Sequence, residues 1–145
     1  MRWITREHIK VDRVACPWLI TRFVDHDAEF LFVPERELLA AATREEATPF
    51  DATRLPEVKL NHRGDRCTFE AILEDFNLTD PALQQLGQIV RAADVKGQEH
   101  VAAEGVGLRA IAEGLALLNL SDDERLRVGF PIYDALHAYV RQRIG

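Results

Sequence analysis

The sequence predicts a helix-rich α/β fold: a small, partly parallel sheet of at most three strands beneath a helical cap. Two patterns support this. In the first half, short apolar and aromatic runs alternate with helical segments, an order that favours parallel strand pairing. Beyond Asp65, apolar residues recur at three- and four-residue spacing almost without interruption, the period of a helix face. The chain has 145 residues, 47% of them hydrophobic and 29% charged. That length and balance suit one globular domain over residues 1–145.

Strands are expected at residues 3–5, 29–33 and 58–60, with EFLFV (29–33) the clearest because of its aromatic and apolar density. A helix is expected from Pro17 to Asp25, since proline suits the first helical position. Residues 35–44 read as a second helix, and TPFDATRLP (48–56) as irregular chain rich in turn formers. Residues 68–76 read as a helix opened by a threonine cap at Thr68. Further helical stripes run through Leu83, Leu86, Val90 and Ala93, and through Leu108, Ile111, Leu115 and Leu118. Gly129 and Pro131 predict a break or kink before the pattern resumes at Tyr133, Leu136 and Val140.

Charge and composition exclude several functions. The net charge is −6, and the 18 Lys and Arg are scattered rather than gathered. Nucleic-acid binding by this chain alone is therefore not expected, because phosphate contacts need concentrated positive charge. No apolar run approaches the roughly 18 residues that span a membrane. The charged start MRWITREHIKVDR has no signal-peptide core, so a cytoplasmic location is expected. Cys16 and Cys67, the two cysteines, are expected as thiols in a reducing compartment. No P-loop, GxGxxG or GxSxG motif occurs, which leaves nucleotide binding and serine hydrolysis without support. Self-association into a homo-oligomer stays open.

Three clusters carry residues suited to chemistry. In the first, Asp12 to Trp18, a helix starting at Pro17 places Cys16 at its N-cap. There the helix dipole favours a thiolate, and Arg13 and Arg22 add positive charge. A buried cysteine beside a core tryptophan, with Asp12 paired to an arginine, accounts for the same residues without any function. The second cluster is His62, Asp65, Arg66, Cys67 and Glu70. It holds good metal-ligand types but matches no standard zinc spacing; capping and surface ion pairing also explain it. The third is Asp94, near a helix C-terminus where a negative charge opposes the dipole. Asp94 therefore needs a partner: Arg91 at i−3, another arginine, or a metal. If a metal binds, the expected ligands are His62, Glu70 and Asp94, with Cys67 shifting preference towards zinc or iron; manganese is the third candidate ion.

The stretch VDRVACPWLITRFVD (11–25) is followed in order by EFLFVP, HRGDRCTFE, IVRAAD and YDAL. This series resembles the C-terminal domain family of the chromate-resistance regulator ChrB, over nearly the whole chain. The resemblance implies a sensing, oxyanion-binding or redox-linked domain. By motif position it points to Arg13, Cys16, Arg22, His62, Arg66, Cys67, Glu70 and Asp94. Full-length relatives are associated with chromate-responsive transcriptional control and carry an additional N-terminal region. This chain begins almost at the signature, so DNA binding is not expected of it. Pro131 departs from the smoother helix expected there.

Three functions follow as expectations. One is a sensor that holds a small oxyanion such as chromate through Arg13, Arg22 and Arg66, with a metal ion as a further ligand. Another is a metal- or thiol-dependent enzyme, with Cys16 and Cys67 as candidate catalytic groups. The third is an interaction or scaffold domain in which the polar groups only cap and pair.

Overall fold

A computed structural model describes all of residues 1–145. Its elements are β1 (Arg2–Arg6), α1 (Asp12–Phe23), β2 (Glu29–Val33), α2 (Leu38–Arg44), β3 (Ala47–Pro49), α3 (Thr68–Asp75), α4 (Pro81–Asp94), α5 (Glu104–Ala116) and α6 (Asp122–Ile144). The expected helix-rich α/β class is what the chain adopts.

The sheet is wholly parallel, in the order β2-β1-β3. Central β1 alternates as a strand buried on both faces must. Trp3 faces the larger apolar core with α1, α3, α4 and α6, while Ile4 faces a smaller core with Leu38, Ala41 and Ala42 of α2. In the larger core Trp18 of α1 stacks on Phe69 of α3, ring centroids 6.5 Å apart. Two close helix approaches tighten the layer. Gly105 of α5 lies against Ala92 of α4, and Gly129 of α6 against Val14 of α1; a Cβ built on Gly129 would stand 2.6 Å from Val14 Cγ1.

Four local expectations are corrected. The third strand is 47–49, inside the stretch read as irregular; residues 58–60 contribute only a single bridge, Leu60 to Phe50. Three residues paired to β1 by backbone alone leave almost no side-chain pattern to detect. The first helix starts at Asp12 rather than Pro17, because the Val14 and Ala15 amides already bond to the Val11 carbonyl. Pro17 then sits within the helix, where its missing N–H deprives one carbonyl of a partner but does not end it. Cys67, not Thr68, occupies the N-cap of α3. Finally, α6 runs through Gly129 and Pro131 as one helix of 23 residues, held by packing on α1 and α4.

Candidate functional site

β1 and β3 are parallel, so the chain leaving both strands emerges at one end of the sheet, the end where α/β folds commonly place ligands. The β1 exit leads to Asp12 and Arg13 at the start of α1, and the β3 exit leads at once to Asp51. His62 reaches the same point from the loop before α3, and Asp94 from the last residue of α4. With Arg6 and Lys10 at the rim, they line an open cleft of about 190 Å³.

The geometry centres on His62 Nε2. It lies 3.0 Å from Asp94 Oδ2, 3.4 Å from Asp12 Oδ2 and 3.6 Å from Asp51 Oδ1. Asp12 is fixed from α3: Oδ2 accepts the Thr68 N–H at 2.8 Å and Oδ1 the Phe69 N–H at 3.2 Å. Asp51 accepts the Thr68 hydroxyl at 2.7 Å and stands 3.4 Å from Arg13 Nε. Asp51 itself has φ +51°, a left-handed conformation that a short polar side chain tolerates.

Crowding of like charges out of water sets the electrostatics. Burial, then the carboxylates of Asp12 and Asp94, raise the Asp51 pKa to about 7. Burial and Asp12 raise Asp94 as well. Hydrogen bonds to Asp12 and Asp94 raise His62 to about 10, so at neutral pH it is an imidazolium that offsets part of the negative charge.

The arrangement also fits a metal ion. One ligand atom from each of Asp12, His62 and Asp94 lies within 4.8 Å of the others. Bonds of about 2.1 Å place adjacent ligand atoms roughly 3 Å apart, close to the two shortest separations here. One imidazole nitrogen with carboxylate oxygens is a donor set for manganese, iron or zinc.

The structure brings together only part of the expected site. His62 and Asp94 meet, and His62 replaces Arg91 as the partner of Asp94. Glu70 turns away, accepting the Cys67 N–H at 3.0 Å and lying 3.6 Å from Arg91 Nε. Cys67 Sγ faces Glu70 and the Gly87 carbonyl instead of the cleft. Cys16 is not at a helix terminus; its thiol donates to Asp12 Oδ1 at 3.2 Å. Burial first, and then the nearby Asp12 charge, raise both thiol pKa values well above the ordinary range, the reverse of thiolate activation.

The three arginines stand apart. Arg13 is at the cleft, donating to the Arg6 and Glu7 carbonyls. Arg22 lies nine residues further along α1, roughly 13 Å at the helical rise, and forks onto Asp134. Arg66 pairs with Glu74 at 2.7 Å. Asp12 and Asp51 were not among the expected ligands. Their available signal was an aspartate set in each case among apolar neighbours, Val11 and Val14 or Phe50 and Ala52.

A family profile described as ChrB, C-terminal domain, matches residues 3–140. The chain belongs to the ChrB C-terminal domain family. It is 36% identical over 140 residues to a protein of Cupriavidus metallidurans named Protein ChrB. That match takes in 95% of this chain but 40% of the relative, so the chain spans well under half the length of the ChrB protein it resembles. No solved structure matches. No helix is long and apolar enough to cross a membrane.

Proposed function

We propose that this ChrB-family domain is a divalent-cation-binding module serving chromate resistance, with the ion held by Asp12, His62 and Asp94 and with Asp51 and Arg13 bordering it. The observation that carries this reading is the convergence of three carboxylates on one imidazole nitrogen, at 3.0–3.6 Å, in a cleft open to solvent. An ion there would take the place of the His62 proton and offset more of the carboxylate charge than the proton does. Imidazole with carboxylate favours manganese, iron(II) or zinc over calcium, and the absence of a thiol from the ligand set removes the preference for a soft ion.

Direct capture of a free oxyanion has less support. In the cleft Arg13 is already paired with Asp51, Arg6 with Glu35 and His62 with Asp94, and Arg22 and Arg66 are engaged with carboxylates elsewhere. A thiol-dependent enzyme is disfavoured by the burial of Cys16 and Cys67.

The test is metal titration by calorimetry on protein purified without a metal-affinity column, using manganese, iron(II) under nitrogen, and zinc. His62→Ala and Asp94→Asn should each weaken binding at least about tenfold, whereas Glu70→Gln should bind as the wild type does. Absence of binding by the wild type, or full binding by Asp94→Asn, overturns the reading.

A further inference from the structure

The two edges of the sheet differ in kind. On one side β3 is three residues long and includes Pro49, which has no N–H, and the next residue, Phe50, is bridged by Leu60. Such features blunt an edge against further pairing. On the other side β2 is the five-residue run EFLFV, with neither proline nor lysine and with an unbroken register. Its one extensively contacted neighbour is β1, and Phe30, Leu31, Phe32 and Val33 all stay partly exposed.

The outer edge of β2 carries free main-chain groups. The Glu29 amide donates to the Met1 carbonyl and the Glu7 amide to the Val33 carbonyl. In that parallel register, residues 29, 31 and 33 turn their N–H and C=O groups towards β1. Phe30 and Phe32 turn theirs outward, where no strand lies. A second, antiparallel β2 fits these groups in one register. With a two-fold axis at Leu31, Phe30 opposes Phe32 of the second copy, each such pair exchanges two hydrogen bonds, and every outward group is used. Moving the axis to Phe32 would call on an amide at Pro34, which has none. Moving it to Phe30 would call on the Ala28 amide, which already donates to the Asp25 carbonyl at 3.1 Å.

We propose that two copies of this chain associate through β2, antiparallel about Leu31, to form one continuous six-stranded sheet. The side chains agree with that register, because opposed residues of an antiparallel pair share a face. Phe30 of one copy meets Phe32 of the other on the side of the larger core, and the two Leu31 side chains meet on the side of α2. Aromatic cross-strand pairs of this kind stabilise a sheet. The strand ends are complementary in charge. Glu29 and Glu35 are paired within the chain, to Arg2 and Arg6. Asp27 and Arg36 are exposed and lack such a partner, and the two-fold axis sets the end that bears Arg36 beside the end that bears Asp27. The blunted β3 edges then lie outermost, so the assembly closes as a dimer and does not grow into a fibre. It does not depend on the proposed cation site.

Sedimentation of the full chain up to about 100 μM should show a dimer. Leu31→Cys should cross-link to its own copy under mild oxidation, because non-hydrogen-bonded antiparallel partners stand about 4.5 Å apart at Cα, within disulfide reach. Glu29→Cys should not cross-link to itself, yet should do so when mixed with Val33→Cys. Cys16 and Cys67 are buried and give no background. Phe32→Pro removes an outward amide and should weaken the dimer at least about tenfold, while Phe32→Leu keeps that amide and should weaken it less. Both should retain the helical circular-dichroism signal; if Phe32→Pro loses it, the cross-linking pattern decides alone. A wild-type chain that stays monomeric throughout overturns the proposal. So does a dimer in which Leu31→Cys fails to cross-link, in which Glu29→Cys cross-links to itself as readily, or which a folded Phe32→Pro leaves intact, since another face would then hold the two copies.

Discussion

The backbone N–H of Thr68 donates to Asp12 Oδ2 at 2.8 Å, and that of Phe69 to Asp12 Oδ1 at 3.2 Å. A side chain at the start of α1 thus satisfies the first free amides of α3, which a helix cannot satisfy internally. The same carboxylate faces His62. One aspartate therefore joins the packing of two helices to the electrostatics of the cleft.

Removing it should be costly. Asp12→Ala leaves two buried amides unpaired and should lower unfolding stability by about 3 kcal/mol. Asp12→Asn retains a carbonyl acceptor and should cost less. Urea denaturation followed by circular dichroism measures both, and a loss below about 1 kcal/mol for the alanine variant would contradict this role.

The cysteines should be chemically silent in the native state. Cys16 and Cys67 are fully buried, and both thiols are held protonated by burial and the neighbouring Asp12 charge. A thiol-specific disulfide reagent at neutral pH should label neither within the time that it labels both in urea. Rapid native labelling of either one would restore a redox role.

Stability of the ion-free domain should fall as pH rises. Asp51 goes from 3.8 to about 7 on folding and His62 from 6.5 to about 10. Both folded values exceed the unfolded ones, so the folded state binds more protons and loses stability with increasing pH. The Asp51 contribution is complete below 3.8 and gone above about 7; that of His62 is complete below 6.5 and gone above about 10. A bound divalent cation requires ionised carboxylates and a neutral imidazole, so the stabilisation it adds should grow with pH. Melting temperatures from about pH 5 to about pH 9, with and without manganese, give the sign of both slopes. An ion-free melting temperature that rises steadily across that range would contradict the assignment.

Helix packing offers a test away from the cleft. A Cβ on Gly105 would stand 2.4 Å from Ala92 Cβ and 2.9 Å from its backbone carbonyl carbon. The obstacle includes main chain, so Gly105→Ala should push α5 off α4 and cost about 1–3 kcal/mol despite the better helix propensity of alanine. Gly107→Ala meets nothing within 4 Å and should be neutral or stabilising in the same thermal melts.

The fold class was legible because strand–helix alternation and helical stripes are long-range patterns that many residues share. The failures are local. β3 pairs through the backbone of Ala47, Thr48 and Pro49, which share no alternation for a sequence pattern to reveal. The start of α1 was misplaced because proline at a first helical position is common, whereas here packing of Val14 and Ala15 keeps residues 12–16 helical ahead of it. At the candidate site, His62 and Asp94 were recognisable by residue type. Asp12 and Asp51 were not, since each lies beside apolar residues and acquires its role only when β1 and β3 exit side by side. Glu70 was grouped with His62 because it lies one turn into a helix that starts near His62; in the structure its carboxylate accepts the Cys67 N–H and caps that helix.

The cleft draws Asp12, Asp51, His62 and Asp94 from four separate stretches of chain. Bringing such distant segments together carries a loop-closure cost, and we expect these contacts to form late in folding. Contacts made that late are absent from the folding transition state and act chiefly on unfolding. A ligand bound among these residues would then lengthen the lifetime of the native domain without hastening its formation.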